Sequence, residues 1–518
     1  MIILSCQKQN AHLTREALDI LCTIYVHYLN NKGGPMNVEE REFFTKIKQA
    51  AFSNPFGEER KIVDLKMTGL KADTPNNEIM ACLEAKVSEK IKTIIKRKPA
   101  GVSDLSEQDT LLLRYGILFS LFHSFSDAND RLIEKQILTG ATPCQVAFAG
   151  DALRVFADFG FSREEALRYF ALFFQMRRAF YFISGIVGRS LCIREFRSSL
   201  WENIFTKDVT VYDQYLWNRM EDFSTMLLGE TGTGKGLAAA AIGRSGFIPF
   251  NEKTGAFSES FTQAFISINL SQYPEQLIES ELFGHTKGAF TGAIEAHNGV
   301  FSRCSPCGAI FLDEIGDVSI SVQIKLLQVL QERFFTPVGS HKHERFQGRV
   351  IAATNRDIRK LREKKEFRDD FYYRLCSDII EVPPLRRRLA EDPGEIDEIL
   401  VFIIKRILGQ ASAEIMQMVK DFLHNNQPKD YTWPGNVREL EQCVRRVLLK
   451  NTYDWPRQEP SGNSVSKITH GIESGSMTAQ EMLSDYCRFL YDRLGTYEAV
   501  AKTTKLDRRT VRKHIEKE

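Results

Sequence analysis

The segment Gly229-Glu230-Thr231-Gly232-Thr233-Gly234-Lys235 follows directly on the apolar run Phe223 to Leu228 and fits the spacing G-x-x-x-x-G-K. An apolar strand, a glycine-rich turn and a helix start, in that order, confine this part of the chain to an α/β architecture. The glycines permit a tight loop whose backbone N–H groups converge on phosphate oxygens. The helix that begins near Lys235 aims its positive dipole end at the same anions. Lys235 would reach the outer phosphates. The hydroxyl residue that usually follows this lysine is replaced by Gly236, so a magnesium ion must lean on other oxygens.

A second apolar run, Ala309-Ile310-Phe311-Leu312, ends in Asp313-Glu314. Two carboxylates at the end of a buried strand are costly unless a cation or a reaction uses them. Read as the acidic partner of the phosphate loop, Asp313 would hold Mg2+ through water and Glu314 would polarise an attacking water. Both halves in one α/β domain imply hydrolysis of ATP or GTP.

At 518 residues the chain is long enough for about three domains. Its 43% hydrophobic and 26% charged content is that of a globular protein, and a net charge of +2 leaves any nucleic-acid partner to a local patch. Ten scattered cysteines suit a reducing cytosol. The opening MIILSCQKQN is too short an apolar run for a signal peptide. The stretch Tyr169 to Val187 is interrupted by Gln175, Arg177 and Arg178, short of a membrane span. The expectation is a cytoplasmic protein with no membrane partner.

Residues 1–195 read as a helical N-terminal regulatory region of unknown type. Apolar residues recur at three and four, as in Leu153, Phe156, Ala157 and Leu167, Phe170, Phe174, and Ser162 with Glu165 has capping-box spacing. The basic cluster Lys90, Lys92, Lys96, Arg97, Lys98 could meet an acidic partner, and a solvated helix face explains it equally well. From about Phe223, four segments (MLLGETGTGKG, AFISINL, GAIFLDEIGD, GRVIAATNRD) pair a strand with a turn, which implies a parallel sheet covered on both sides. After Pro383-Pro384 only helices follow, to about Lys450. The expected organisation is multidomain: helical N-terminal region 1–195, α/β ATPase subdomain 196–385, helical lid 386–453, Pro/Gly/Ser-rich linker 454–476, and an all-α helix-turn-helix unit 477–518.

Between the two phosphate-site elements stands Gly288-Ala289-Phe290-Thr291-Gly292-Ala293, small residues around one aromatic and one hydroxyl. Its glycines allow a sharp hairpin tip, and Phe290 at that tip has no local core to join; the alternative is an ordinary turn with Phe290 folded back on the sheet. With this GAFTGA segment, and with DEIGDVSISVQIKLLQVLQERFFTPVGS, VIAATNRD, FRDDFYYRL and YTWPGNVREL in that order, residues from about Met226 to Leu449 resemble the AAA+ domain of sigma-54-dependent transcriptional activators (bacterial enhancer-binding proteins). The resemblance implies an α/β P-loop ATPase with a helical lid, using ATP and Mg2+. It implies that the Gly288–Ala293 loop touches sigma-54 RNA polymerase and moves with nucleotide state. Thr354 and Asn355 would form the sensor near the γ-phosphate. Arg368 and Arg374 would serve as arginine fingers acting on a neighbouring subunit's nucleotide, and Arg438 as the lid sensor. Fingers supplied in trans imply a self-assembled ring, hexameric or heptameric by family analogy.

The chain departs from the family at Gly236, in a long stretch from Gly246 to Thr262, and in LRRRLAEDPGEI after Pro384. Cys304-Ser305-Pro306-Cys307 has C-x-x-C spacing but lacks a second ligand pair, so two thiols in a turn are the simpler account and a redox role an open one. At the C-terminus, TYEAVAKTTKLDRRTVRKHI reads as helix-turn-helix, with Thr510, Val511 and Ile515 facing inward. Arg508, Arg509, Arg512, Lys513 and His514 lie on the exposed face. It is similar to the Fis-like tail of the same family, which implies binding to double-stranded DNA upstream of promoters, with Arg508, Arg509, Thr510, Arg512 and Lys513 as contacts. A DNA-binding regulator acting on another polymerase form, or a remodelling ATPase outside transcription, would be expected to lack GAFTGA. The N-terminal region, placed before the ATPase, is expected to restrain or license ring assembly.

Overall fold

The computed structural model describes residues 36–96, 106–429, 431–456 and 477–516, with Ile472 and Gly475 between the last two. The expected linker at 454–476 therefore lies outside the described residues apart from 454–456, Ile472 and Gly475. Arg97, Lys98 and the first ten residues lie outside them too.

The N-terminal region forms eight helices among the described residues: α1 (Val38–Phe52), α2 (Glu58–Thr68), α3 (Asn76–Lys96), α4 (Glu107–Ser124), α5 (Ser126–Thr139), α6 (Ala149–Asp158), α7 (Arg163–Ser184) and α8 (Leu191–Phe205). The capping box at Ser162 and Glu165 starts α7, and a second at Asn37 and Glu40 starts α1. Leu153, Phe156, Phe170 and Phe174 are buried as the spacing implies, whereas Ala157 faces solvent. Residues 195 and 196 sit inside the continuous helix α8, so no structural break falls there.

A five-stranded sheet carries the middle of the chain, all parallel, in the order β4-β5-β8-β1-β9. Its strands are β1 (Thr225–Leu228), β4 (Phe265–Asn269), β5 (Ala309–Asp313), β8 (Arg349–Thr354) and β9 (Asp378–Glu381). The first four are the four segments read from sequence. The edge strand β9 escaped that reading because DIIE is short and lacks a glycine turn. Two small antiparallel pairs, β2 (Phe250–Asn251) with β3 (Ala256–Phe257) and β6 (Phe334–Phe335) with β7 (Glu344–Arg345), flank the sheet. The β2–β3 hairpin accounts for the long Gly246–Thr262 stretch.

Alternate strand residues enter different cores. Leu227, Phe311, Ile351 and Ala353 join one hydrophobic cluster with helix α9 (Lys235–Gly243) and the N-terminal helices. Met226, Ile310, Leu312 and Ala352 join the other, on the opposite face. The N-terminal helices thus share a core with the sheet. Phe174 stacks on Phe257 at 4.2 Å between ring centroids, and Phe170 meets Phe250 edge-on at 5.0 Å.

Polar contacts fasten the same seam. The wholly buried Arg178 donates to the carbonyls of Arg244 (2.8 Å) and Gly246 (2.7 Å), and Gln175 donates to that of Ser245 at 2.9 Å. Three successive carbonyls beyond the end of α9 are therefore satisfied by side chains of α7. The helices from Leu385 to Lys450 enclose a separate core around Leu400, Trp433 and Leu440. The C-terminal helices Ala479–Leu494, Tyr497–Thr504 and Arg508–Glu516 build a smaller one from Cys487, Leu490, Val500 and Val511. No helix among the described residues is long and apolar enough to cross a membrane.

Candidate functional site

Parallel strands place their carboxyl ends on one edge, and three neighbours there, β5, β8 and β1, deliver Asp313, Thr354 and the Gly229–Lys235 loop together. The loop has the tight, glycine-bent conformation that its spacing implies. Gly232 (φ 80°) and Gly234 (φ 108°) adopt the left-handed region that a side chain resists. A Cβ at Gly232 would also collide with the Gly435 carbonyl. Lys235 is buried at the N-terminus of α9, its Nζ donating to the carbonyls of Gly229 (2.8 Å) and Glu230 (3.2 Å). Burial pushes its pKa down, and Glu314 and Asp313 oppose that. A Cβ at Gly236 would meet nothing within 4 Å, so no crowding there demands glycine.

Asp313 closes β5, and burial raises its carboxyl while Lys235 pulls it back. Glu314 stands in the left-handed region (φ 56°) and donates its N–H to Asp313 Oδ1 at 3.1 Å. Its own carboxylate accepts from the Asn355 N–H at 3.2 Å, while burial raises its pKa. Asn355 Nδ2 reaches back to the Thr231 hydroxyl at 2.9 Å. Thr354 is fully buried, with its Oγ1 accepting from the Arg356 N–H. One short network therefore joins the phosphate loop, Glu314 and Asn355. Lys235 and the two carboxylates form the charge arrangement that a phosphate–Mg2+ pair fits: one cation, two acids and a cradle of N–H groups.

The lid closes over this loop through residues that sequence reasoning missed. Arg386 grips Glu230 with both nitrogens, at 2.7 and 2.5 Å, and holds its carboxyl below the usual range. Asn436 Nδ2 donates to Glu230 Oε2 and to the Thr231 carbonyl, both at 3.1 Å, and its Oδ1 accepts from the Leu385 N–H at 2.7 Å. The clue was available in LRRRL and WPGNV, but nothing in a linear reading says that these meet Glu230. Arg438 sits above Gly232, exposed and with no hydrogen bond or ion pair among the described residues.

Arg368 and Arg374 are not drawn into their own chain's site. Arg368 pairs with Asp370 at 2.7 Å, and Arg374 donates to the Leu330 carbonyl at 2.8 and 2.9 Å.

The Gly288–Ala293 segment forms a tight loop. Gly288 N–H donates to the Ala293 carbonyl (2.8 Å), and Gly288 (φ 79°) and Gly292 (φ 103°) make its bends. Phe290 is 38% exposed; it meets the His285 ring edge-on at 4.9 Å and is not folded back on the sheet. Thr291 is exposed, and Ala289 and Ala293 turn inward. The loop's stem is pinned by Thr286 N–H to the Val338 carbonyl at 3.0 Å, next to the β6–β7 pair.

In the C-terminal unit, Val511 is buried, with Thr510 and Ile515 half-buried beside it. Asp507 caps the last helix through the N–H groups of Arg509 (2.9 Å) and Thr510 (3.0 Å). Arg509, Arg512 and Lys513 are exposed, and Arg508 pairs with Glu498 at 2.9 Å. His514, expected on the outer face, instead turns toward Ser484, its Nδ1 2.9 Å from that hydroxyl. Cys304 and Cys307 are half-buried free thiols, each pushed by burial up to about 12, and no metal-binding cluster occurs among the described residues.

Residues 208–381 match the family described as Sigma-54 interaction domain. The chain is 41% identical over 239 residues to the Nif-specific regulatory protein of Azotobacter vinelandii, covering 46% of this chain and 42% of that one. It is 37% identical over 330 residues to the DNA-binding transcriptional regulator NtrC of Rhizobium meliloti, covering 60% of this chain and 64% of that one. The matches thus span less than two thirds of these relatives' length. Among solved structures, NtrX from Brucella abortus aligns with 71% of this chain and 80% of its own at 20% identity and a TM-score of 0.38.

Proposed function

We propose that the chain, whose residues 208–381 match the Sigma-54 interaction domain, is an AAA+ enhancer-binding activator that hydrolyses ATP to remodel a sigma-54 RNA polymerase from DNA upstream of the promoter. The observation that carries this reading is the pairing of the Gly229–Lys235 loop and the Asp313–Glu314 carboxylates with an exposed Phe290–Thr291 loop in one α/β domain. The loop N–H groups and Lys235 would bind the phosphates, and Asp313 would hold Mg2+ through water. A magnesium ion held there would supply charge neutralisation to the phosphoryl group, with Asp313 and Lys235 setting its place.

Glu314, released from the Asn355 N–H, would orient and deprotonate the attacking water; its raised pKa favours that role. Because Asn355 also holds Thr231, occupancy of the phosphate loop would be felt at Glu314. Arg438 reaches the loop from the lid. Arg368 and Arg374 act on the neighbouring subunit's nucleotide, which makes the working form a ring, hexameric or heptameric. The exposed Arg509, Arg512 and Lys513 support DNA binding by the C-terminal unit, and the whole assembly is placed in the cytoplasm. The divisions at 385, 453 and 476 are part of the same proposal, with the N-terminal region, which shares the sheet's core rather than ending at 195, restraining or licensing assembly.

The test is co-purification with sigma-54 in the presence of an ATP transition-state mimic. Wild type is expected to form the trapped complex. Phe290→Ala should keep ATP turnover and lose the complex. A wild type that hydrolyses ATP yet never traps sigma-54 overturns the reading.

A further inference from the structure

A cavity with a volume of about 880 Å³ lies away from the phosphate site, among the N-terminal helices. That is the size of a pocket for a small organic molecule. Its walls are rings: Phe52, Phe119, Phe122, Phe173, Phe180 and Trp201 line it. Several of them lock one another, as in the Phe122–Phe173 edge contact at 5.4 Å and the Phe52–Tyr115 contact at 5.0 Å.

Between the rings the wall carries polar side chains, among them Arg60, Glu84, Lys92, His123, Asp127 and Arg177, and they differ in what they have left to offer. Arg60 is held by Asp64 at 2.7 Å and Arg177 by Asp130 at 2.5 Å, so neither guanidinium seeks a counter-ion. His123 is held between the rings of Phe119 (4.4 Å) and Phe122 (5.2 Å) and has no hydrogen-bond partner among the described residues. Burial, helped by Arg60 and Arg177, pulls its pKa to about 3, so at neutral pH it presents one N–H donor and one bare nitrogen acceptor. Glu84 accepts from Ser124 at a long 3.4 Å, and burial holds its carboxyl above the usual range. A ring-walled cavity whose arginines are already paired offers an anionic guest no open guanidinium, and with a neutral imidazole exposed to it rewards a flat guest that can donate or accept one hydrogen bond.

We propose that this cavity binds a neutral, ring-bearing small molecule carrying an N–H or hydroxyl group, with the aromatic rings as walls and His123 and Glu84 as its hydrogen-bonding partners. The guest would be felt beyond the cavity. Trp201 lies on α8, two residues from Asn203, whose Nδ2 donates to the Thr225 hydroxyl of β1 at 3.0 Å.

Titration calorimetry on the full chain, without nucleotide, tests this independently of any ATPase reading. The probes are indole, its isostere 1-benzothiophene, which lacks the N–H, and the anion indole-3-carboxylate. Indole is expected to saturate one site with a dissociation constant on the order of 100 μM, in keeping with its few atoms. The isostere should bind roughly tenfold more weakly and the anion weaker still.

His123→Leu should bring indole down to the isostere's affinity and leave the isostere unchanged, which a merely structural role would not do. Ala85→Trp, at an exposed position on the cavity's mouth, should abolish binding of both while leaving the melting temperature unaltered. Absence of saturable indole binding overturns the proposal, as does undiminished binding by Ala85→Trp or preference for the carboxylate.

Discussion

The two helical regions at opposite ends of the chain differ in how they meet the rest of it. Among the described residues the N-terminal helices share their core with the sheet: Phe170, Phe174, Leu227, Phe311 and Ile351 belong to one cluster. The C-terminal helices close on themselves around Cys487, Leu490, Val500 and Val511. The lid is intermediate, with its own core around Trp433 and a polar clamp of Arg386 and Asn436 onto Glu230. Shared apolar burial makes two segments one cooperative unit, whereas a small private core lets a segment fold and move by itself.

The largest effect expected from this difference comes from truncation. Removing residues 1–184 should uncover the sheet's Phe311 face and leave aggregated material with no melting transition. Removing 477–518 should leave the main transition within about 2 °C and ATP turnover unchanged. Scanning calorimetry on both truncations decides it, and a soluble, cooperatively melting sheet without the N-terminal helices breaks the comparison. Next, Arg178→Met strands the carbonyls of Arg244 and Gly246. It should cost about 3 kcal/mol in urea unfolding, whereas Lys513→Met on the exposed last helix should cost no more than about 0.5 kcal/mol.

A smaller effect is expected from pH. The unfolded chain takes up a proton on His123 near pH 6.5, while the folded ring stays neutral down to about 3. The depressed folded value means that stability is lost as pH falls below 6.5. The wild type should therefore lose melting temperature more steeply between pH 7 and 5 than His123→Phe does, and parallel curves would remove the assignment. The smallest effect is at the clamp. Arg386 and Glu230 are both about half exposed, so Arg386→Ala should raise the KM for ATP roughly threefold and leave kcat nearly unchanged. A collapse of kcat in steady-state assays would show that the clamp shapes the chemical step.

Much of the phosphate site could be read without coordinates. Gly232 and Gly234 announce positive φ, Asp313-Glu314 after four apolar residues announces a strand end, and both elements are local in sequence. Phe290 was rightly expected to lack a core. His514 was misplaced because one helical turn separates an outer face from an inner one, and only Ser484, 30 residues away, decides which it is. Arg178 read as an interruption of an apolar run, and it is instead the residue that caps the strand of carbonyls after α9.

What the sequence determined by itself is the local form carried by contiguous residues: the glycine-bent loop with phosphate-loop spacing, the paired carboxylates, the glycine-bounded aromatic tip and the basic last helix. Backbone conformation and side-chain type act there over a few residues, so spacing suffices. Only the tertiary structure decided which distant groups complete them. Asn436 reaches Glu230 across 206 positions, Arg178 reaches Gly246 across 68, and the ring-lined cavity draws on helices from α1 to α8. Such pairings follow from how faces pack, and packing is a property of the whole chain.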